Sequence, residues 1–216
     1  MAVNYQNKIV TNGLVLCLDA ADKKSYPGSG TTWFDRSGRA NHGTLIGGPT
    51  YNSSNGGSIV LDGIDDYISS VTLSSLSITD ITIQVWVYPT NIAGNYVTVF
   101  DTTGRHLSLW IGTTFYGLGG TSGAGSASFN WQNNNWVCIT IVKSSTTGQI
   151  IKNNYDVSEN ISAGSTFTNQ LQFGSNPSGG GSLFTGRYGS IRLYNRALTS
   201  QEIKQNFNST RGRFAI

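Results

Sequence analysis

Phe184-Thr-Gly-Arg-Tyr-Gly-Ser-Ile-Arg-Leu-Tyr-Asn-Arg-Ala-Leu-Thr-Ser-Gln-Glu-Ile203 is the stretch that decides the fold. Ile191 and Leu193 alternate with Arg192 and Tyr194, the period of two that sends one set into a core and the other away from it. Thr199 then stands three residues ahead of Glu202. That is the spacing of a capping box, in which each side chain satisfies an unpaired backbone donor at a helix start. The stretch predicts a closing β-strand that runs straight into a short helix.

Earlier runs repeat the strand signal. In Ile81-Thr-Ile-Gln-Val-Trp-Val-Tyr88, Ile81, Ile83, Val85 and Val87 share one face, and Pro89 ends the run. Residues 136–143 do the same with Val137, Ile139 and Ile141. Leu14-Val-Leu-Cys-Leu18 is apolar on both faces, as a central strand is. Shorter strands are expected at 58–61, 67–70, 96–101, 107–111, 115–118, 149–152, 155–157 and 170–174, an antiparallel-sandwich spacing. Asn153-Asn154 tolerates left-handed geometry and predicts a hairpin, while Gly119 to Ser128 and Ser175 to Ser182 read as loops. No linker or repeat divides the chain, so one domain over 1–216 is expected.

With 216 residues the chain has length enough to bury a core without staples. Its 27 glycines and low charged fraction, 12%, suit short strands joined by turns. Net charge is +3 with no dense basic block, which argues against a nucleic-acid partner. Arg211 and Arg213 come nearest to such a block and read as a solvated tail. Cys17 and Cys138 lie in apolar runs and read as buried reduced thiols. The start lacks a basic region, and 14–18 is too short for a signal or a span. No membrane partner and no classical secretion are therefore expected.

Three strings occur in order: Trp33-Phe-Asp-Arg-Ser-Gly-Arg-Ala-Asn-His-Gly-Thr44, Ile59-Val-Leu-Asp-Gly-Ile-Asp-Asp-Tyr-Ile68 and the 186–203 ending. Together they resemble the concanavalin A-like, laminin-G-type lectin domains, and Trp86 and Trp136 stand where that family usually has strand tryptophans. The resemblance implies a two-sheet antiparallel jelly roll that binds glycans or proteins, some members through calcium at a rim. Lys152-Asn-Asn-Tyr155 departs from it, since the family often has Asn-Gly or Asp-Gly there. The opening 12–20 with Tyr26-Pro-Gly-Ser-Gly30 is similar to copies in bacteriophage structural proteins. That similarity implies a virion component, made in the host cytoplasm and assembled into a particle.

The chemistry-bearing residues are few. Glycoside hydrolysis normally needs two carboxyl groups flanking the bond, yet Glu159 and Glu202 are the only glutamates and no strand carries two spaced carboxylates. No catalytic residue is expected. His42 and His106 are the only histidines, and His42 reads as a turn or packing residue. Calcium takes carboxylate and carbonyl oxygens, which makes Asp35, Asp62 and Asp65, with Asp66, the candidate metal ligands. The alternative is that Asp62 and Asp65 bond to N–H groups of their own turn.

A sugar site needs an aromatic ring to stack on and amides to orient the hydroxyls. Trp131, beside Gln132-Asn-Asn-Asn135, is the foremost candidate, with Trp110, Tyr116 and Asn133. Trp33, Trp86 and Trp136 read as core. Two functions remain open: a non-catalytic phage adhesin for host surface glycan, or a decoration protein that contacts other virion proteins.

Overall fold

The computed structural model describes residues 8–70, 80–92, 97–102, 108–111, 116–119, 125–127, 132–145, 147–156, 161–162, 171–175 and 183–216. Two antiparallel sheets face each other, as expected. The nine-stranded sheet runs in the order Tyr155–Asp156, Thr147–Lys152, Val137–Ser144, Ile81–Pro89, Thr185–Tyr194, Ser58–Asp62, Thr50–Asn52. Leu14–Asp19 also pairs with Thr185–Tyr194, and Ile161–Ser162 with Thr147–Lys152. The eight-stranded sheet runs Gly125–Ala127, Tyr116–Gly119, Ser108–Ile111, Val97–Thr102, Leu171–Phe173, Tyr67–Ser70, Gly43–Ile46, Thr32–Trp33.

The ten-residue strand Thr185–Tyr194 is the hub. One edge pairs along its length with Ile81–Pro89. The other is shared end to end, Ser58–Asp62 taking residues 185–188 and Leu14–Asp19 taking 190–194. The alternation read in the sequence fills the space between the sheets. Leu16, Leu18, Ile83, Val85, Val87, Ile139, Ile191 and Leu193 pack in one cluster with Trp33, Leu45, Ile68, Leu109, Leu171 and Phe173. Burial of each such side chain contributes about 1.5–3 kcal/mol before entropy is charged against it.

The opposite face of the nine-stranded sheet is also covered. Helix Ser200–Thr210 lies on it through Ile203, Asn206 and Phe207, spaced three and one residues apart on one stripe. Polar side chains that would otherwise face water are therefore buried, and several pair with one another. Arg192 Nη1 donates to Gln84 Oε1 at 3.1 Å, and Gln84 Nε2 donates to Thr140 Oγ1 at 3.0 Å. Asn206 Nδ2 donates to the Tyr194 hydroxyl at 2.9 Å, which itself donates to the Val10 carbonyl at 3.0 Å. Cys17 and Cys138 are free and buried in this layer. Burial pushes the Cys17 thiol up and the Cys138 thiol to about 12, so neither is a ready nucleophile.

The capping box forms in both halves. Thr199 Oγ1 accepts from Glu202 N at 3.3 Å, and Thr199 N donates to Glu202 Oε2 at 2.9 Å. The hairpin forms too, with Asn153 at φ 47° and Asn154 at φ 69°, so the departure from Asn-Gly leaves a left-handed two-residue turn intact. Two expectations need correction. Part of the Gly119 to Ser128 loop is strand: Gly125–Ala127 pairs with Tyr116–Gly119. Its glycine, serine and alanine carry no alternation for a pattern to reveal. Arg213, expected in a solvated tail, is instead a half-buried anchor paired with Asp19.

Candidate functional site

Phe214 closes the short turn Arg211–Phe214 and lies flat on the sheet. Its ring stacks on Trp86 with centroids 4.2 Å apart and 18° between planes, and meets Trp136 at 4.5 Å. Gly189 makes this approach possible, since a Cβ there would come within 2.7 Å of the Phe214 ring. Arg213 fixes the turn. Its guanidinium pairs with Asp19 and donates to the Asn55 carbonyl at 2.6 Å and the Gly57 carbonyl at 2.7 Å. Asn55 Oδ1 in turn accepts from Trp136 Nε1 at 3.1 Å.

Beside this turn the surface opens into a cleft of about 420 Å³. Tyr88, Trp136 and Phe214 form its aromatic floor, and Gln132, Asn134, Asn135 and Asn153 bring amides to its rim. Tyr88 and Trp136 pack at 5.4 Å, and the Arg187 guanidinium covers the Tyr88 ring at 5.0 Å. The rim is ordered by its own bonds. Asn134 takes a left-handed φ of 63° and donates its N–H to the Pro89 carbonyl at 2.7 Å. Asn135 Nδ2 donates to the Asn133 carbonyl at 3.2 Å. Asn153 Oδ1 accepts from Cys138 N at 2.9 Å, which ties the hairpin to the strand beside it.

The acidic candidates separate into two places. Asp35 is buried with both oxygens engaged: Oδ1 accepts from Cys17 N and Ser37 N at 2.8 Å, Oδ2 from Ser37 Oγ at 2.6 Å and Asn41 N at 3.0 Å. It organises the Trp33–Thr44 loop and has no oxygen left for a metal. His42 belongs to the same loop, its Nδ1 accepting from Asp35 N at 3.1 Å and its ring meeting Phe34 edge-on at 5.3 Å. Elsewhere, Asp62, Asp65 and Asp66 bring carboxylate oxygens within 4.8 Å of one another. Asp62 Oδ1 accepts from Ile64 N at 2.7 Å and Asp66 Oδ2 from Asp62 N at 3.0 Å. The turn is thus held by Asp62 and Asp66, where Asp62 and Asp65 were expected. Burial, chiefly, pushes the Asp66 carboxyl up. Three carboxylates, two already bonding their own turn, fall short of the six to eight oxygens of a complete calcium shell.

A family model described as the concanavalin A-like lectin/glucanases superfamily matches residues 62–204. The chain belongs to that superfamily. A search of the curated proteins finds no match. Among solved structures, this lectin-like fold is similar to domain 4 of AbnA, an extracellular arabinanase from Geobacillus stearothermophilus, in complex with arabinotriose. The TM-score is 0.70 at 16% identity, over 91% of this chain and 98% of that one. It is similar to the Trypanosoma rangeli sialidase in complex with sialic acid, TM-score 0.71 at 15% identity, over 94% of this chain and 34% of the sialidase. It is also similar to the binding domain of botulinum neurotoxin DC in complex with rat synaptotagmin II, TM-score 0.69 at 15% identity, over 93% and 52%. The chain thus spans a third of the sialidase and about half of the toxin domain.

In this concanavalin A-like domain, Asn133 alone of the residues singled out for sugar contact has a described side chain. Trp131 lies outside the described residues. Trp110 and Tyr116 sit on strands of the eight-stranded sheet, with side chains outside the described part. Asn133 is exposed in the loop that leads into the other sheet. The amide run 132–135 does reach a ligand-sized cleft, but the described aromatic floor is Trp136 with Tyr88 and Phe214. Trp33 and Trp86 are fully buried and Trp136 is 8% exposed, as core residues are. Phe214 carried no signal at sequence level, because its contacts come from Trp86 and Gly189, both remote in the chain.

Proposed function

We propose that this domain is a non-catalytic carbohydrate-binding module that uses the cleft beside the Arg211–Phe214 turn. One observation carries the reading: three aromatic rings and a rim of amides converge on a single cleft of about 420 Å³. Rings present an apolar floor to the C–H face of a sugar, while each amide offers both donors and an acceptor to its hydroxyls. Binding of sugars and gangliosides by structural neighbours favours the same class.

The non-catalytic part rests on the acids. Among the described residues, no carboxylate side chain lines the cleft. Glu202 is held by Arg196 in a two-pronged pair, which lowers its carboxyl to about 2, so it carries no proton to donate at neutral pH. Glu159 and His106 lie outside the described residues. We place the module on a bacteriophage particle as an attachment protein, on the likeness of 12–20 and 26–30 to phage structural proteins. A second reading, contact with other virion proteins, is favoured by Ile64, 76% exposed at the tip of the Asp62–Asp66 turn.

A glycan array followed by calorimetry tests the first reading. Binding should weaken about tenfold or more in Gln132→Ala/Asn135→Ala, with the melting temperature unchanged. No reducing ends should be released from any bound glycan. An array empty at millimolar affinity, about −4 kcal/mol, or turnover lost in Glu159→Gln or Glu202→Gln, would defeat it.

A further inference from the structure

The cleft differs from most polar surfaces in how little charge it holds. Among the described residues that line it, Lys152 alone has a side chain of a type charged at neutral pH. Cross-strand partners share a face, and Lys152 pairs with Ile139, a core residue between the sheets. Its side chain therefore belongs to the inner face, opposite the rings and amides that line the cleft on the outer face. Val137 behaves likewise, paired with the core residue Val87. The other described lining residues carry rings, amides and the aliphatic side chains of Ala215 and Ile216. Two cations lie against rings of this cleft without lining it: Arg187 caps Tyr88 at 5.0 Å, and Arg213, its charge already paired with Asp19, lies over Phe214 at 4.6 Å.

We infer that the ligand is a neutral oligosaccharide, recognised by hydroxyl–amide hydrogen bonds over an aromatic floor. This rests on the carbohydrate reading above and narrows it. A sugar carboxylate or sulfate entering such a site would leave part of its hydration shell with no cation to replace it, which is unfavourable. Hydroxyls lose nothing, since amide N–H and C=O groups replace water in both roles. The Asn134 backbone and the Asn135 amide are already fixed by bonds to Pro89 and Asn133, so the rim is set before a ligand arrives.

The test compares neutral arabino-, xylo- and gluco-oligosaccharides with oligogalacturonate and sialyllactose, by calorimetry at low and high salt. The expected result is binding of at least one neutral series, with affinity changing less than about twofold between 50 and 500 mM salt, as uncharged recognition requires. The acidic probes should bind no more tightly, and Arg187→Gln should leave the neutral affinity unchanged. Acidic probes that bind more tightly, with an advantage removed by salt and by Arg187→Gln, would overturn neutrality while leaving a carbohydrate module in place. Silence from every probe would overturn both.

Discussion

Asn55 and Arg213 hold each other by reciprocal bonds: Arg213 Nε donates to the Asn55 carbonyl at 2.6 Å, and Asn55 Nδ2 donates to the Arg213 carbonyl at 3.2 Å. Asn55 also accepts from the Trp136 indole. A left-handed residue in one short turn thus joins the other short turn to the floor of the cleft.

Arg213→Met should accordingly destabilise the domain by about 2–3 kcal/mol, because Asp19 loses its charge partner and three carbonyls each lose a donor. Urea unfolding measures the loss. Tryptophan emission should move to the red before the main transition as the Phe214 turn lifts off Trp86 and Trp136. A single unshifted transition of wild-type midpoint would show the anchor to be idle.

Glu202 gives a pH dependence with a definite sign. Its carboxyl is depressed from 4.5 to about 2, first by the Arg196 hydrogen bonds. A depressed acid contributes stability that is complete above 4.5 and is lost as pH falls toward 2. Glu202→Gln should lower stability by about 1–2 kcal/mol at pH 7. Denaturation of both proteins from pH 7 to 2 should show the gap closing only below about 4.5.

For the Asp62–Asp66 turn, the bonds from Ile64 N and Asp62 N make the loop self-supporting. Chelation should leave the melting temperature unchanged, and so should added calcium. A ligand bound only by the folded state raises stability by mass action, so a rise of several degrees with calcium would establish a metal site there.

Gly63 adopts φ +77°, and a Cβ at that position would run into Thr185 Oγ1. Gly63→Ala should cost about 2 kcal/mol or more, from backbone strain and the collision together. Adding Thr185→Ala removes the hydroxyl and should return only the steric part. A double variant no more stable than Gly63→Ala alone would place the whole cost in the backbone.

The sheets were legible in the chain because their signals are local. Ile81 to Val87 and Ile191 with Leu193 alternate within a few residues, and Thr199 with Glu202 fits one helical turn. The cleft was legible in part. Its amide run stands out between two tryptophans, but which ring lies beneath it depends on contacts distant in sequence. Phe214 reaches Trp86 and Trp136 only because Gly189 leaves room, and Arg213 looks like a tail charge until Asp19 and Gly57 are brought beside it. Burial of Thr82 has the same origin, since the Arg196 carbonyl and the Leu198 N–H that its hydroxyl bonds follow more than a hundred residues later.

The placement of strand Thr185–Tyr194 at the centre of the larger sheet sets an order on the protein's birth. Leu14–Asp19 leaves the ribosome well before its pairing edge, residues 190–194, so it waits while the long stretch between them is translated. Throughout that wait Leu14, Val15, Leu16, Cys17 and Leu18 are an unpaired apolar strand, the kind of segment that seeks another copy of itself. Newly made chains should therefore depend on chaperones until the last strand arrives, and slow translation after residue 19 should lower soluble yield.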